Sequence, residues 1–216
     1  MSRTKGFGLR MRSPTDIMNR IAELLLQDGF CEPTHGIYVK IWDKTWRGWL
    51  AVDPGSHLLI PTVGVFSDEL LNMRGCALKK LGVSEKKRRD GPPLIQLNLQ
   101  QLIEGDDNFM SQISWSYTGK ALKQSVADDL VYCFRKKAYP YIDAHVSYAA
   151  VLDAVKKGRG SLSIQFYLPM ILIKLGLIDD LSKLVDAHWA RIVSADMSVN
   201  YGQYVNALLE LNGLKA

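Results

Sequence analysis

The sequence predicts an α+β fold with an N-terminal helix, a mainly antiparallel sheet of about four to five strands and a C-terminal helical layer. Apolar residues alternate with a period of two over much of residues 35–99, whereas they recur with the helical period over 119–212. We expect residues 13–216 to form a single domain, sheet-rich at 35–117 and helical at 119–212. A basic disordered extension is expected at residues 1–12.

The first helix is expected over residues 14–27. Pro14 suits the first position of a helix, and Ile17 and Ile21 lie on one face of it. Gly29 supplies the left-handed residue with which helices commonly end.

Period-two alternation predicts strands over 37–42, 46–52, 58–66 and 94–99, with a further short strand over 113–117. The third of these contains Pro61, which has no N–H to donate, so we expect that strand to be an edge strand or to be bulged there. Ser67 is expected to cap a helix that ends near Leu81.

The helical period governs the chain beyond Gly119, and Pro140 is expected to break or kink the first of these helices. Further helices are predicted over 147–157, 164–175, 179–192 and 199–211. The second and third of that group are expected to form a hairpin closed by Gly176.

The net charge of +5 is concentrated in two segments, 1–12 and 79–90, each of which carries four net positive charges. The rest of the chain is therefore mildly acidic. No apolar run reaches the length of about 20 residues that a membrane span needs, so we expect no membrane association. The three cysteines are far apart, which favours free thiols and a cytoplasmic location.

The sequence lacks the motifs of nucleophilic hydrolysis, of zinc or calcium binding and of phosphate-binding loops. We therefore expect no catalytic residues, no metal and no cofactor, and the sequence favours a protein that is not an enzyme.

A cluster of aromatic and cationic residues lies on two neighbouring predicted strands. If Ile37, Val39 and Ile41 face the helices, alternation places the intervening side chains on the other face of the sheet. We predict that this face binds a partner through Tyr38, Lys40, Trp42, Arg47 and Trp49. The alternative is that helices or a second copy of the chain cover it.

Several short stretches carry a resemblance to known proteins: DGF at 28–30, the strand pair at 37–42 and 46–52, IPTVGV at 60–65 and YPYI at 139–142. The layout of residues 14–193 resembles a loose group of bacterial domains, some of which look like immunity proteins of polymorphic or contact-dependent toxin systems. The resemblance implies a protein partner such as a toxin domain, and it supplies no catalytic residues.

The leading hypothesis is a non-enzymatic cytosolic binding protein that neutralises or regulates a protein partner by steric occlusion. The alternative is a single-stranded nucleic-acid-binding protein, in which the same five residues stack on bases and contact phosphates. A second alternative is an enzyme with a site assembled from Asp53, His57 and His145. The oligomeric state stays open.

Overall fold

The computed structural model describes residues 14–55, 58–83, 93–103, 115, 125–161, 163–188 and 201–214. An N-terminal helix is followed by a five-stranded antiparallel sheet and then by helices, so the predicted α+β class is confirmed. The predicted extension at 1–12 lies outside the described residues, and the prediction of a single domain stays a prediction.

The five strands lie in the sheet in the order in which they occur in the chain. They are β1 (Cys31–Thr34), β2 (Ile37–Asp43), β3 (Trp46–Pro54), β4 (Leu59–Ser67) and β5 (Ile95–Asn98). β1 runs antiparallel to β2, with Cys31 paired to Val39 and Thr34 paired to Ile37, and the register shifts between these two pairs. The sheet is therefore a meander, in which each strand adds beside the one before it.

The helices differ in length and are separated by short connections in several places. They are α1 (Pro14–Gln27), α2 (Asp68–Lys80), α3 (Leu99–Ile103), α4 (Ser125–Cys133), α5 (Tyr139–His145), α6 (Tyr148–Lys156), α7 (Ile164–Lys174), α8 (Ile178–His188) and α9 (Tyr201–Leu211). A π-helix (Phe134–Ala138) joins α4 to α5. The predicted bounds of α1 are confirmed, and Gly29 after it has a φ of 85°, as a left-handed helix end requires.

The chain divides into two compact units whose ranges interleave along the sequence. The first unit comprises Met1–Lys40, Gly48–Val63 and Leu97–Asp143, and the second comprises Ile41–Arg47, Gly64–Gln96 and Ala144–Ala216.

In the first unit α1 packs on α4. Ile17, Ile21 and Leu25 of α1 are fully buried. Their spacing is that of one helical face, and the hydrophobic effect on these side chains holds the two helices together. Arg20 on α1 forms an ion pair with Asp128 on α4, at 3.2 Å between Nη2 and Oδ1.

In the second unit α2 packs on α7 and α9. Leu70 of α2, Met170 of α7 and Leu208 of α9 are fully buried. Arg74 on α2 donates a hydrogen bond of 3.1 Å to the Tyr167 hydroxyl, and its guanidinium lies 5.5 Å from the Tyr167 ring centroid. Helix α7 is the helix that the others share, because it packs on α2, α6, α8 and α9.

Because β4 lies between β3 and β5, it is not an edge strand, and the alternative that it is bulged at Pro61 stays a prediction. The residue two before it shows why a proline is tolerated. Leu59 donates its N–H to the Trp115 carbonyl at 3.1 Å rather than to a strand. Residues 59 and 61 present their backbone groups to the same side of the strand. Because the N–H of Leu59 on that side is not bonded to a strand, the missing N–H of Pro61 does not interrupt a long series of strand-to-strand hydrogen bonds.

The expectation that Pro140 breaks the helix is also corrected, whereas a kink at this position stays a prediction. The π-helix directly precedes it, and the Tyr139 N–H donates to the Phe134 carbonyl, five residues back. This wider turn admits the proline ring inside a continuous helical run, because Pro140 is the second residue of α5 and α5 continues to His145. The strand predicted over 113–117 lies outside the described residues except for Trp115.

Candidate partner-binding site

The five residues predicted to bind a partner fall in both compact units. Tyr38, Lys40 and Trp49 belong to the first unit, whereas Trp42 and Arg47 belong to the second. They also differ in how much of each side chain is exposed.

Tyr38 and Trp49 are buried, which corrects the expectation that they present an open aromatic face. Tyr38 is fully buried, and Trp49 is 9% exposed. Burial raises the pKa of the Tyr38 hydroxyl, and the charge of Glu32 raises it further. These two aromatic side chains are core residues of the first unit.

Lys40 is engaged within its own unit. Its Nζ donates a hydrogen bond of 2.7 Å to the Asp28 carbonyl and lies 5.8 Å from the centre of the Phe30 ring. The ammonium therefore closes the end of α1, where the last carbonyls lack helical partners and a cation is favourable.

The hairpin formed by β2 and β3 exposes, near the end of β2, the most accessible large apolar side chain of the described residues. We call residues 41–47 the hairpin tip. Ile41 is 64% exposed and Trp42 is half-buried, while Asp43 and Lys44 are exposed. The expectation that Ile41 faces the helices with Val39 is wrong, since Val39 is buried and Ile41 is not. Ile41 lies near the end of β2, where strand twist turns side chains away from the packed face.

The hairpin tip is fixed to the start of α2 by backbone and side-chain hydrogen bonds. The Asp68 N–H donates to the Thr45 carbonyl at 2.8 Å. Arg47 donates from Nε and Nη2 to one carboxylate oxygen of Asp68, at 2.9 and 2.7 Å, and its guanidinium lies 5.8 Å from the Phe66 ring centroid. Hydrogen bonds between charged groups are the strong ones, so the turn is held in one geometry.

Trp46 anchors the other side of the tip. It is 6% exposed, and its ring lies against that of Tyr148 on α6 with centroids 5.2 Å apart. The Tyr148 hydroxyl and the Lys174 ammonium both donate to the Glu69 carboxylate in the first turn of α2. The tip therefore stands on a network that includes α2, α6 and α7 of the second unit.

The pKa values in this network favour a structural role for its ionisable groups. The hydrogen bonds from Lys174 and Tyr148 lower the pKa of Glu69. Burial, followed by the hydrogen bond to Glu69, raises the pKa of Tyr148 to about 12. At neutral pH the carboxyl stays ionised and the phenol stays protonated, whereas a general acid or base works best with a pKa near the working pH.

The arrangement offers no metal site among the described residues, where no group of three or more histidine, cysteine, aspartate or glutamate side chains could hold an ion. The three residues of the enzyme hypothesis are distributed over the chain. Asp53 lies in the first unit, His145 lies in the second, and His57 falls outside the described residues.

Sequence reasoning missed Ile41 and the contacts that hold the tip. Two signals in the sequence could have indicated them. Ser67 and Asp68 mark the start of a helix directly after β4, so the first turn of α2 had to lie near a strand end. Arg47 also has the opposite charge to Asp68, which suits an ion pair at that point.

No described helix is long and apolar enough to cross a membrane. Comparison of the chain with protein-family models, with curated proteins and with solved structures finds no match. The hairpin tip is therefore interpreted from its own geometry.

Proposed function

We propose that this protein is a non-enzymatic binding protein that neutralises or regulates a protein partner, in the manner of an immunity protein of a bacterial toxin system. The observation that carries the proposal is the exposed side chain of Ile41 on a tip held by Asp68, with the half-buried Trp42 next to it in the chain. Because consecutive residues of a strand face opposite sides of the sheet, each of the two would contact a partner from its own side of the tip. A large apolar or aromatic side chain that is accessible on a rigid support is typical of an energetic anchor in a protein interface.

Rigidity of the tip favours binding, because little conformational entropy is lost when a preformed turn meets its partner. Asp43 and Lys44 are exposed next to the anchor and supply the polar rim that surrounds most interface cores. The proposed mechanism is steric occlusion, with an interface of about 800 Å² contributed by this chain. In this proposal Trp42 is the predicted residue that contacts the partner, Arg47 holds the tip through Asp68, and Tyr38, Lys40 and Trp49 support the first unit.

The burial of Tyr38 and Trp49 counts against the nucleic-acid alternative. A single-stranded nucleic acid is bound by several open aromatic rings on which successive bases stack. Of the three aromatic residues in that hypothesis, Tyr38 and Trp49 are buried and Trp42 is half-buried.

The proposed site of action is the cytosol. Cys31, Cys76 and Cys133 are all free thiols, which suits a reducing compartment.

The test is affinity capture from native cells with a matched pair of variants. Ile41→Lys places a charge on the hairpin tip, and Ile60→Lys places the same charge on an isoleucine that is 41% exposed on β4. We expect the wild type and Ile60→Lys to retain one stoichiometric protein partner and Ile41→Lys to lose it, as read by mass spectrometry. Equal retention by both variants, or no stoichiometric partner at all, would overturn the proposal.

A further inference from the structure

We propose that a cleft between α2 and α9 binds a small uncharged ligand. This cleft has a volume of about 390 Å³ and lies entirely within the second unit. Its size falls in the range of about 300–1,000 Å³ that is usual for sites of small molecules. The inference does not rest on the proposed protein partner.

The apolar part of the cleft comes from both helices. Met73 of α2 and Leu208 and Leu211 of α9 line it. Leu211 is 47% exposed although it is large and apolar. A ligand that covers Leu211 would remove this surface from water, which is the main favourable contribution in apolar sites.

The charges of the cleft are already neutralised from within the protein. Two carboxylates line it, those of Asp68 and Glu69. Asp68 is paired with Arg47, and Glu69 accepts hydrogen bonds from Lys174 and Tyr148. The other residues that line the cleft in the described chain carry no charge. A charged ligand would lose its hydration without gaining an available counter-ion, so electrostatics favour an uncharged one.

Two polar side chains remain available to orient such a ligand. The Thr45 hydroxyl and the Asn72 amide line the cleft and make no hydrogen bond within the part of the chain that the structure describes. The amide supplies both donors and an acceptor, and the hydroxyl supplies one donor and an acceptor. The ligand class is therefore a mainly apolar molecule with one neutral hydrogen-bonding group, such as an amide, an alcohol or a ketone.

The experiment uses the full chain and the uncharged dye Nile red, with the anionic dye anilinonaphthalene sulfonate for comparison. Leu211→Lys is the test variant, and Leu26→Lys is its match, since Leu26 lies in the last turn of α1 and is 54% exposed. A lysine near a helix C-terminus is tolerated in both places. We expect Nile red fluorescence to rise saturably with the wild type. Leu211→Lys is expected to weaken the affinity for the dye about tenfold, and Leu26→Lys to change this affinity by less than about twofold.

Cysteine alkylation by iodoacetamide supplies the second measurement. Cys76 lines the cleft and is exposed, while Cys31 is exposed in the first unit and serves as the internal control. Bound Nile red is expected to slow the alkylation of Cys76 and to leave that of Cys31 unchanged.

Three results would overturn the inference: equal dye affinity in the two lysine variants, unprotected Cys76, or sulfonate binding as tight as that of Nile red. If circular dichroism shows that Leu211→Lys does not fold, the variant Asn72→Ala tests the inference instead. Asn72 is exposed on α2, so its removal is expected to spare the fold and to weaken dye binding by about threefold or more. Unchanged affinity in Asn72→Ala would then overturn the inference.

Discussion

At the level of one residue, substitution of Trp42 distinguishes a role in partner binding from a role in core packing. It is half-buried on the hairpin tip, whereas Trp46, four residues on, is buried against Tyr148. Trp42→Ala is expected to weaken partner binding by about 2 kcal/mol. Because part of its ring is already in water, we expect the thermal unfolding midpoint to change little.

Trp46→Ala is the matched control, since it removes the same side chain from a packed position. It is expected to lower the free energy of unfolding by about 3–5 kcal/mol. Calorimetric binding to the captured partner and thermal unfolding of both variants make the comparison. If Trp42→Ala destabilises the fold as much as Trp46→Ala does, Trp42 is a core residue.

The stability of the first unit is expected to depend on pH through Asp28. Burial works to raise its pKa, but hydrogen bonds from Arg135 and Tyr139, helped by the charges of Arg135 and Lys40, outweigh burial and lower the pKa below its ordinary value. The Tyr139 hydroxyl donates at 2.5 Å, and Arg135 donates to both carboxylate oxygens at 2.8 and 2.9 Å.

A carboxyl with a lowered pKa in the folded state stabilises the protein above its unfolded-state pKa, and this contribution is lost as the pH falls through the folded-state value. Asp28→Asn is therefore expected to cost about 1–2 kcal/mol of unfolding free energy at pH 7. The difference from wild type should shrink as the pH falls below 3.8, the ordinary pKa.

Urea unfolding at pH 7 and at pH 3 measures this difference. Asp153→Asn is the control, because Asp153 pairs with Lys157 on the exposed surface of α6 and such pairs contribute little. A cost at Asp28 that is the same at both pH values would show that the lost interaction does not depend on the carboxylate charge.

At the scale of elements, the cap of α2 connects helix stability to the hairpin tip. Ser67 is fully buried, and its hydroxyl accepts a hydrogen bond from the Leu70 N–H at 3.4 Å. The next residue is Asp68, which holds Thr45 and Arg47. Ser67→Ala is expected to cost about 1 kcal/mol of stability and also to weaken partner binding.

Ser147→Ala is the matched control, because Ser147 caps α6 in the same way and its hydroxyl accepts from the Ala150 N–H at 3.2 Å. Both variants are expected to lose similar stability in chemical unfolding, and only Ser67→Ala should lose partner affinity. An equal loss of affinity in the two variants would contradict a direct role of the α2 cap in holding the tip.

Elements with strong local signals could be predicted from the sequence. The bounds of α1 follow from its apolar face and Gly29, and the starts of α2 and α6 follow from Ser67 and Ser147. Helix α3 could not be predicted in this way, because Leu97 and Leu99 continue the alternation of β5. The Asn98 side chain starts α3 by accepting from the Gln100 N–H at 2.8 Å.

The candidate site was harder to predict than the fold, because alternation along a strand says which side chains share a face and not which face is covered. Alternation predicts an open face for Tyr38 and Trp49, which are buried, and a covered face for Ile41, which is exposed. Burial is decided by packing between segments far apart in the sequence, and a period of two carries no information on that packing.

At the scale of the whole molecule, the proposed function requires that the hairpin tip is part of the surface that becomes protected when a partner binds. Hydrogen–deuterium exchange of the purified complex, compared with the free protein, measures this directly. We predict that exchange at residues 41–47 is slower in the complex than in the free protein. Unchanged exchange at residues 41–47 in the complex would contradict the assignment of the hairpin tip as the partner-binding site.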